Sequence, residues 1–459
     1  RQPLYICQSD GGLISPKSVI ELPVRTLFSG PAAGVVGASF LYGSSNDGNI
    51  DNNEDAGNLV TLDMGGTSTD VAVISKSKPV KTTEKEVMGY PVKFPVIDVL
   101  TIGAGGGSIA SVDEGGFLKV GPESSGADPG PACYDKGGER PTVTDANLIL
   151  GTLGVKTMLG GKIELNLEKA KEAIKNLVSI PLNISLIEGA RAIIRLIISD
   201  ISEAIRKITI SKGFHPKDLK LIAYGGAGPM HAALIAKELG IKEVIIPENP
   251  GAFSAQGLLY SDAAIDFVKT VKGIKEDSFN KIILEFKNKA KDWFKKENIP
   301  RRKQKLEWSL DMRHKGQNYE ITIPVLEKDI TDLNQCKMNN LKEIFYKKHG
   351  SLYGFKLRGR EIEIINLRLR CIGILCLKFD HKFYKVQDNN GKLIKEFREV
   401  YFIESRKSIK TPIYKRVSIP YGYKIEGPAI IEQVDSTIVI PPEDNGEVGS
   451  DGSFIISIE

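Results

Sequence analysis

The sequence predicts an α/β protein whose core alternates strands and helices and is followed by a smaller, β-rich C-terminal domain. Three observations predict it. Residues 219–247 pass from the apolar run "LKLIAY" through the turn "GGAG" into a helix opened by Pro229 and ended near Gly240, then into "KEVIIP", the succession of a β-α-β unit. Ahead of it, Ile193, Ile194, Ile197, Ile198, Ile201, Ala204, Ile205 and Ile208 keep helical spacing until Gly213 ends the pattern, which predicts a long core helix over 188–212. Beyond residue 363 short alternating runs are separated by turn signals such as "YGYKIEGP" and "PPEDNGEVGSDG". A chain of 459 residues exceeds what one hydrophobic core usually serves, and the change of character places the boundary near residue 270, giving domains 1–270 and 271–459.

The remaining elements follow in order. The chain begins with Arg1 rather than Met, and the apolar "PLYIC" starts at residue 3, so a segment is expected upstream. In "TLFSGPAAGVVGASFLY", residues 26–42, Ser29 is placed to cap a helix and Pro31 to open it, and the small residues after them permit close packing. Residues 44–58 hold four acids, no base and little that is apolar, which predicts a loop. The stretch "LDMGGTSTDVAVISK" alternates apolar and polar positions on both sides of Gly66 and Thr67, which predicts a hairpin. Residues 101–145 are rich in Gly and Pro and predict a long irregular segment, of the kind that more often serves function than packing. Between 271 and 310, Phe279, Phe286 and Trp293 recur every seven residues among lysines, the pattern of an amphipathic helix with a solvated face. A strand pair around "LEWSLDMRHKGQNYEITIPV" and a helix near 340–350 complete the series.

The totals exclude several classes of function. A net charge of +5 over this length gives no concentrated basic footprint, so nucleic acid is not the expected partner. Five scattered cysteines without a CxxC pair argue against a disulfide framework and fit a reducing, cytoplasmic compartment. The five histidines show no close pairing that signals zinc. The most apolar run, "ARAIIRLIISDISEAI", is broken by Arg195, Asp200 and Glu203, so no membrane span is expected.

The chemistry concentrates at two turns. In a hairpin centred on Gly66 and Thr67, Asp63 and Asp70 become near-opposite partners, a repulsive arrangement that a cation, a shared proton or water must offset. Gly65 and Gly66 let backbone N–H groups approach an anion, and Thr67, Ser68 and Thr69 add hydroxyls. Donors for phosphate beside acids for Mg²⁺ are what phosphoryl transfer requires. About 160 residues later Gly225, Gly226, Gly228 and Pro229 lead from a strand into a helix N-terminus, whose unpaired N–H groups and dipole suit a nucleotide. This second turn matches neither GxxxxGK[ST] nor GxGxxG, so no P-loop or Rossmann site is expected. His231, on the same helix, is expected to pack rather than to react. Together the two elements point to an actin-like ATPase half-domain.

With "QSDGGLIS", "SGPAAGVVGA", "DMGGTSTDVAVI", "IGAGGGSIASVDEGG", "GPESSGADPGPACY", "PTVTDANLILG", "AYGGAGPMHAALIA" and "NPGAFSAQGLLYSD", the chain resembles the hydantoinase A family. That family holds ATP-dependent 5-oxoprolinases, N-methylhydantoinase subunits and a subunit of acetone-type carboxylases. "MRHKGQNYE", "HGSLYGF" and "EGPAIIEQVDSTIVIPP" extend the resemblance to its C-terminal region. The resemblance implies the fold of sugar kinases, Hsp70 and actin, with ATP and Mg²⁺ or Mn²⁺ as cofactors. It makes Asp63 to Asp70 the second phosphate turn and metal site, Gly225 to Pro229 the adenosine-side turn, and 29–38 a connecting helix. Gly105, Gly106, Asp128, Cys133 and Asp145 become candidates for the substrate pocket. Family members begin with a further segment carrying an earlier DxGGTxTD turn, whereas this chain carries one such turn. Half of the cleft is therefore expected from another segment or polypeptide. The resemblance further implies hydrolysis of a cyclic amide through carbonyl phosphorylation, with a B-type partner subunit. Carboxylation, or a scaffold without turnover, stands as the alternative.

Overall fold

The computed structural model describes residues 4–43, 57–83, 85–87, 89–92, 94–273, 276–331, 335–375 and 393–459. The predicted acidic loop lies mostly outside these residues, as do Cys376 and His381. The chain is mixed α/β with a β-rich C-terminal region, and it forms two compact units that interleave along the sequence. Arg1–Ser29 joins Ser261–Leu377, while Gly30–Tyr260 joins Lys378–Glu459.

The larger unit is built on a sheet of nine described strands. At its centre Leu59–Met64, Lys220–Tyr224 and Glu243–Ile246 run parallel. Both faces of Leu59–Met64 are buried, as a central parallel strand requires. Val60, Leu62 and Met64 face the long helix Leu186–Ser211 and the helix Gly228–Leu239. Leu59, Ala72, Ile74, Ile222 and Tyr224 face the helix Ser29–Tyr42. Small residues let that helix approach closely: a Cβ on Gly34 would stand 2.7 Å from the Tyr224 hydroxyl. Thr69–Ser75 and Val99–Ile102 extend the sheet antiparallel on one side. On the other side Phe454–Ser457, near the end of the described chain, pairs antiparallel with Glu243–Ile246.

The Gly/Pro-rich stretch 101–145 departs from its reading as wholly irregular. It contains the antiparallel pair Ser108–Val112 and Leu118–Ser124 and the helix Val143–Leu150. The glycines mislead because several serve close contacts between backbones rather than looseness. A Cβ on Gly103 would lie 2.8 Å from Pro122, and one on Gly105 would lie 2.7 Å from the Gly66 carbonyl oxygen.

The smaller unit carries six strands among its described residues, in the order Ile6–Cys7, Leu13–Ile14, Ala263–Thr270, Ile362–Gly373, Gln304–His314, Ile321–Val325. Helices Glu276–Lys296 and Gln335–Tyr353 belong to the same unit. Phe279, Phe286 and Trp293 are buried together with Trp308, while Lys281, Lys289 and Lys295 are exposed, as the seven-residue spacing predicts. Arg370 at its centre is held by the carboxylates of Asp10 and Asp266, at 2.6 and 2.7 Å.

This unit also encloses two histidines. His314 stands edge-on to His349, 5.0 Å between ring centroids, among Phe345, Tyr346 and Tyr353. The His349 Nδ1 bonds the Phe355 carbonyl oxygen at 2.9 Å, whereas neither His314 nitrogen has a partner among the described residues. Burial, and then the charges of His349 and Arg360, hold His314 below its ordinary pKa. A depressed histidine is protonated sooner in the unfolded chain. Its contribution to stability is therefore intact above about pH 6.5 and is lost as pH falls towards the folded value. Urea denaturation followed by tryptophan fluorescence reports this unit, because both tryptophans, Trp293 and Trp308, lie in it. The expected result is lower stability at pH 5 than at pH 7.5, with a flatter dependence in His314→Phe.

Candidate functional site

The site grows from the carboxyl ends of two neighbouring parallel strands. Leu59–Met64 runs into the turn 65–68 and returns as Thr69–Ser75, with Asp63 directly opposite Asp70 and Met64 opposite Thr69. Lys220–Tyr224, paired with the first strand so that Tyr224 neighbours Asp63, runs into the turn 225–227. The two turns touch. Ala227 N donates to Met64 O at 2.9 Å, and Gly225 N donates to Pro250 O at 2.9 Å. Gly225 sits at φ +80°, where a Cβ would come within 2.4 Å of Met64 O and 2.6 Å of an Asp63 carboxylate oxygen. Glycine is the residue for which both the dihedral and the space are available.

Over the first turn there is room. A Cβ on Gly66 would meet no atom within 4 Å, and Gly66 and Thr67 are exposed. The turn is braced from behind: Gly65 N donates to Ser68 O at 3.1 Å, and Gly106 N and Gly107 N donate to Gly65 O and Gly66 O at 3.0 and 2.6 Å. Thr69 is buried and its hydroxyl donates to Ala104 O, so of the three hydroxyl residues it serves the scaffold. The helix Gly228–Leu239 has no side-chain cap; Ala227 N and Met230 N are taken by Met64 O and Ala227 O and Pro229 has no N–H, which leaves the Gly228 amide for another acceptor.

Asp63 and Asp70 lie on the face of the sheet shared with Leu59, Ala72 and Ile74. Asp63 Oδ2 accepts from Ser254 Oγ at 2.9 Å, and Asp70 accepts from the Thr101 hydroxyl. Burial pushes the Asp63 carboxyl up to about 6; the Ser254 bond pulls it back and the Asp70 charge raises it further. Asp70 is also raised, chiefly by burial, against the hydrogen bond from Thr101 and the Lys85 charge. Two facing carboxylates held against their preference for charge are suited to a divalent ion. No group of three or more His, Cys, Asp or Glu side chains converges among the described residues. The pair therefore fits Mg²⁺, which takes one or two carboxylates with phosphates and waters, better than a metal held wholly by protein.

The pocket candidates divide. Gly106 lines a cavity of about 180 Å³ together with Gly65, Gly66, Thr144, Gly226, Ala227, Met230 and His231. Gly105 packs beneath the first turn instead. Asp128 is exposed on the 125–130 loop. Cys133 and Asp145 are both fully buried. Asp145 closes the capping box of the helix Val143–Leu150, bonding Thr142 N at 2.8 Å and Cys133 N at 2.7 Å. Burial pushes the Cys133 thiol far up, and the Asp145 charge adds to the effect.

Two groups of cavity residues were not foreseen. Asn147 and His231 form its inner wall, with Asn147 Nδ2 and His231 Nε2 3.3 Å apart. Burial pushes His231 down to about 4, so it is neutral at physiological pH. The other group is Gln433 to Thr437, the turn between the strands Ala429–Glu432 and Thr437–Ile440. The motif "EQVDST" was visible in the sequence, but nothing local placed it 200 residues back against the glycine turns.

Comparison with known proteins identifies the family. The family model described as Hydantoinase/oxoprolinase matches residues 1–267, and that of the Hydantoinase/oxoprolinase C-terminal domain matches 268–451. An uncharacterised protein of Methanocaldococcus jannaschii is 38% identical, over 96% of this chain and 63% of its own length. The caprolactamase subunit alpha of Pseudomonas jessenii is 33% identical, again over 96% of this chain and 63% of its own length. The crystal structure of the ATP-dependent caprolactamase from that organism superposes with a TM-score of 0.82 at 30% identity, covering 100% of this chain and 65% of that one. Acetone carboxylase in its nucleotide-free structure shares the fold, with a TM-score of 0.77 at 23% identity over 99% of this chain and 64% of that one. The chain thus spans less than two thirds of the length of these relatives. The relatives of this fold include ATP-dependent amidohydrolases and carboxylases, some of them subunits of larger enzymes. On the match over residues 1–267 and the touching glycine turns, the chain belongs to the hydantoinase/oxoprolinase family.

Proposed function

We propose that this chain is the nucleotide-handling part of an ATP-dependent cyclic amide hydrolase, of the 5-oxoproline or hydantoin type, acting through phosphorylation of the amide carbonyl oxygen. The observation that carries the reading is the contact between the two glycine turns on adjacent parallel strands, with a pair of facing carboxylates on the same hairpin. Gly65, Gly66, Thr67 and Ser68 form the phosphate side, with Thr69 holding the turn in place from within, and Gly225, Gly226, Gly228 and Pro229 form the nucleoside side. Asp63 and Asp70 would hold Mg²⁺, which when bound neutralises phosphate charge.

A cyclic amide carbonyl is a poor electrophile. Moving a phosphoryl group onto its oxygen makes the carbon a better acceptor for water. The Gly66 and Gly228 amides, held in place by the turns, would meet developing negative charge without reorganisation. Water attack belongs, on this reading, to a B-type partner subunit, and the relative that is named a subunit alpha supports such a division.

The test is phosphate release from ATP by the complete enzyme with 5-oxoproline, hydantoin, or acetone plus bicarbonate. Stimulation by a cyclic amide supports the proposal. Stimulation by acetone plus bicarbonate alone replaces it with carboxylation, and stimulation by none leaves a scaffold.

A further inference from the structure

The turn Gln433–Ser436 supplies the cavity with a chemistry that the glycine turns lack. It is closed by Gln433 N donating to Ser436 O at 3.0 Å and tied down at two points. Gln433 Nε2 donates to Glu248 O at 2.6 Å, and Asp435 Oδ2 accepts from Gly251 N at 2.8 Å. A Cβ on Gly251 would stand 2.7 Å from the Asp435 Cβ, so the contact depends on glycine there. Each anchored side chain has its second polar atom unmet: Gln433 Oε1 and Asp435 Oδ1 have no hydrogen-bond partner, nor has the Oγ of Ser436, which is 7% exposed. All three residues line the cavity.

The cavity is therefore polarised. On one side the amides of Gly66 and Gly228 and the N-terminal dipole of the helix Gly228–Leu239 present donors and positive potential. Gln433 and Asp435 bring acceptors to the other side, their unmet side-chain oxygens buried within the wall, and the Asp435 carbonyl oxygen stands 3.7 Å from where a Cβ on Gly226 would be. A ligand matching both sides carries anionic groups at one end and hydroxyl donors a few ångströms away. A nucleotide has that layout in its phosphates and ribose.

We propose that the turn Gln433–Ser436 is a specificity element that reads the ribose hydroxyls of the bound nucleotide, with Asp435 and Gln433 accepting and Ser436 completing the wall. The proposal rests on the ATP reading above and adds to it a sugar contact from the C-terminal region.

Binding of ATP, 2′-deoxy-ATP and 3′-deoxy-ATP to the complete enzyme, measured by calorimetry, tests it. The wild type is expected to bind at least one deoxy analogue about ten- to a hundredfold more weakly than ATP, the size of a hydrogen bond to a charged acceptor. Asp435→Asn keeps an acceptor for Gly251 and turns the unmet oxygen into a donor, so discrimination should collapse while affinity for that analogue holds. Ser436→Ala, a smaller change, should reduce discrimination in part and decides the matter should Asp435→Asn fail to fold. Equal affinity of the wild type for all three nucleotides overturns the proposal and leaves ATP binding standing. Undiminished discrimination in both variants also overturns it. Absence of any nucleotide binding overturns it together with the ATP reading.

Discussion

Replacing Asp63 by asparagine is expected to lower substrate-stimulated phosphate release on the order of a thousandfold, the scale of losing one aligned electrostatic contact in a closed site. The side chain keeps its shape and an acceptor for Ser254, so the fold should not suffer. Burial raises the Asp63 carboxyl to about 6, so above that pH the folded chain carries its charge at a cost that the unfolded chain does not bear. Thermal unfolding at pH 8 should therefore show Asp63→Asn at least as stable as the wild type. Activity lost with stability kept is the signature of a residue held for chemistry. Full turnover in the variant would remove Asp63 from the machinery.

Gly225→Ala should act in the opposite way, through the frame. An alanine at φ +80° costs about 1–2 kcal/mol in backbone alone. Its Cβ, 2.4 Å from Met64 O and 2.6 Å from an Asp63 oxygen, adds an overpacking cost of about 1–3 kcal/mol. Both turns must shift to relieve the clash, so nucleotide binding and stability should fall together, by about 3 kcal/mol in urea denaturation. Gly226→Ala is the control one residue away. Its Cβ meets only the Asp435 carbonyl oxygen, at 3.7 Å, an ordinary contact. A Gly225→Ala variant as stable as Gly226→Ala would mean that the two turns are not locked to one another.

Much of this frame was legible before any coordinates, and for a common reason. The hairpin with Asp63 facing Asp70, the helix Ser29–Tyr42, the long helix Leu186–Ser211 and the β-α-β unit are each written in one continuous stretch, where spacing and turn residues suffice. The seven-residue aromatic spacing of Glu276–Lys296 is of the same kind. The strands Ser108–Val112 and Leu118–Ser124 were hidden because their glycines and prolines serve contacts across the chain, which a local reading takes for looseness. The "QVDST" turn could not be placed because its partners, Glu248, Gly251 and Gly226, lie about 200 residues away. Cys133 and Asp145 illustrate the converse. Residue types that often do chemistry here serve structure: Asp145 closes a capping box with Thr142, whose spacing was readable, and also holds Cys133 N, while the burial of both was not readable.

The pairing of Phe454–Ser457 with Glu243–Ile246 has a bearing on biogenesis. The sheet that carries the two glycine turns lacks an outer neighbour for its third parallel strand until Phe454–Ser457, about 210 residues further along, has been made. A chain cut at residue 270 would expose the bare margin of Glu243–Ile246, an inviting template for intermolecular strand addition. Assembly of the sheet that carries the glycine turns is thereby tied to synthesis of Phe454–Ser457, and dissection of this polypeptide at its sequence boundary would produce a sticky fragment rather than an autonomous module.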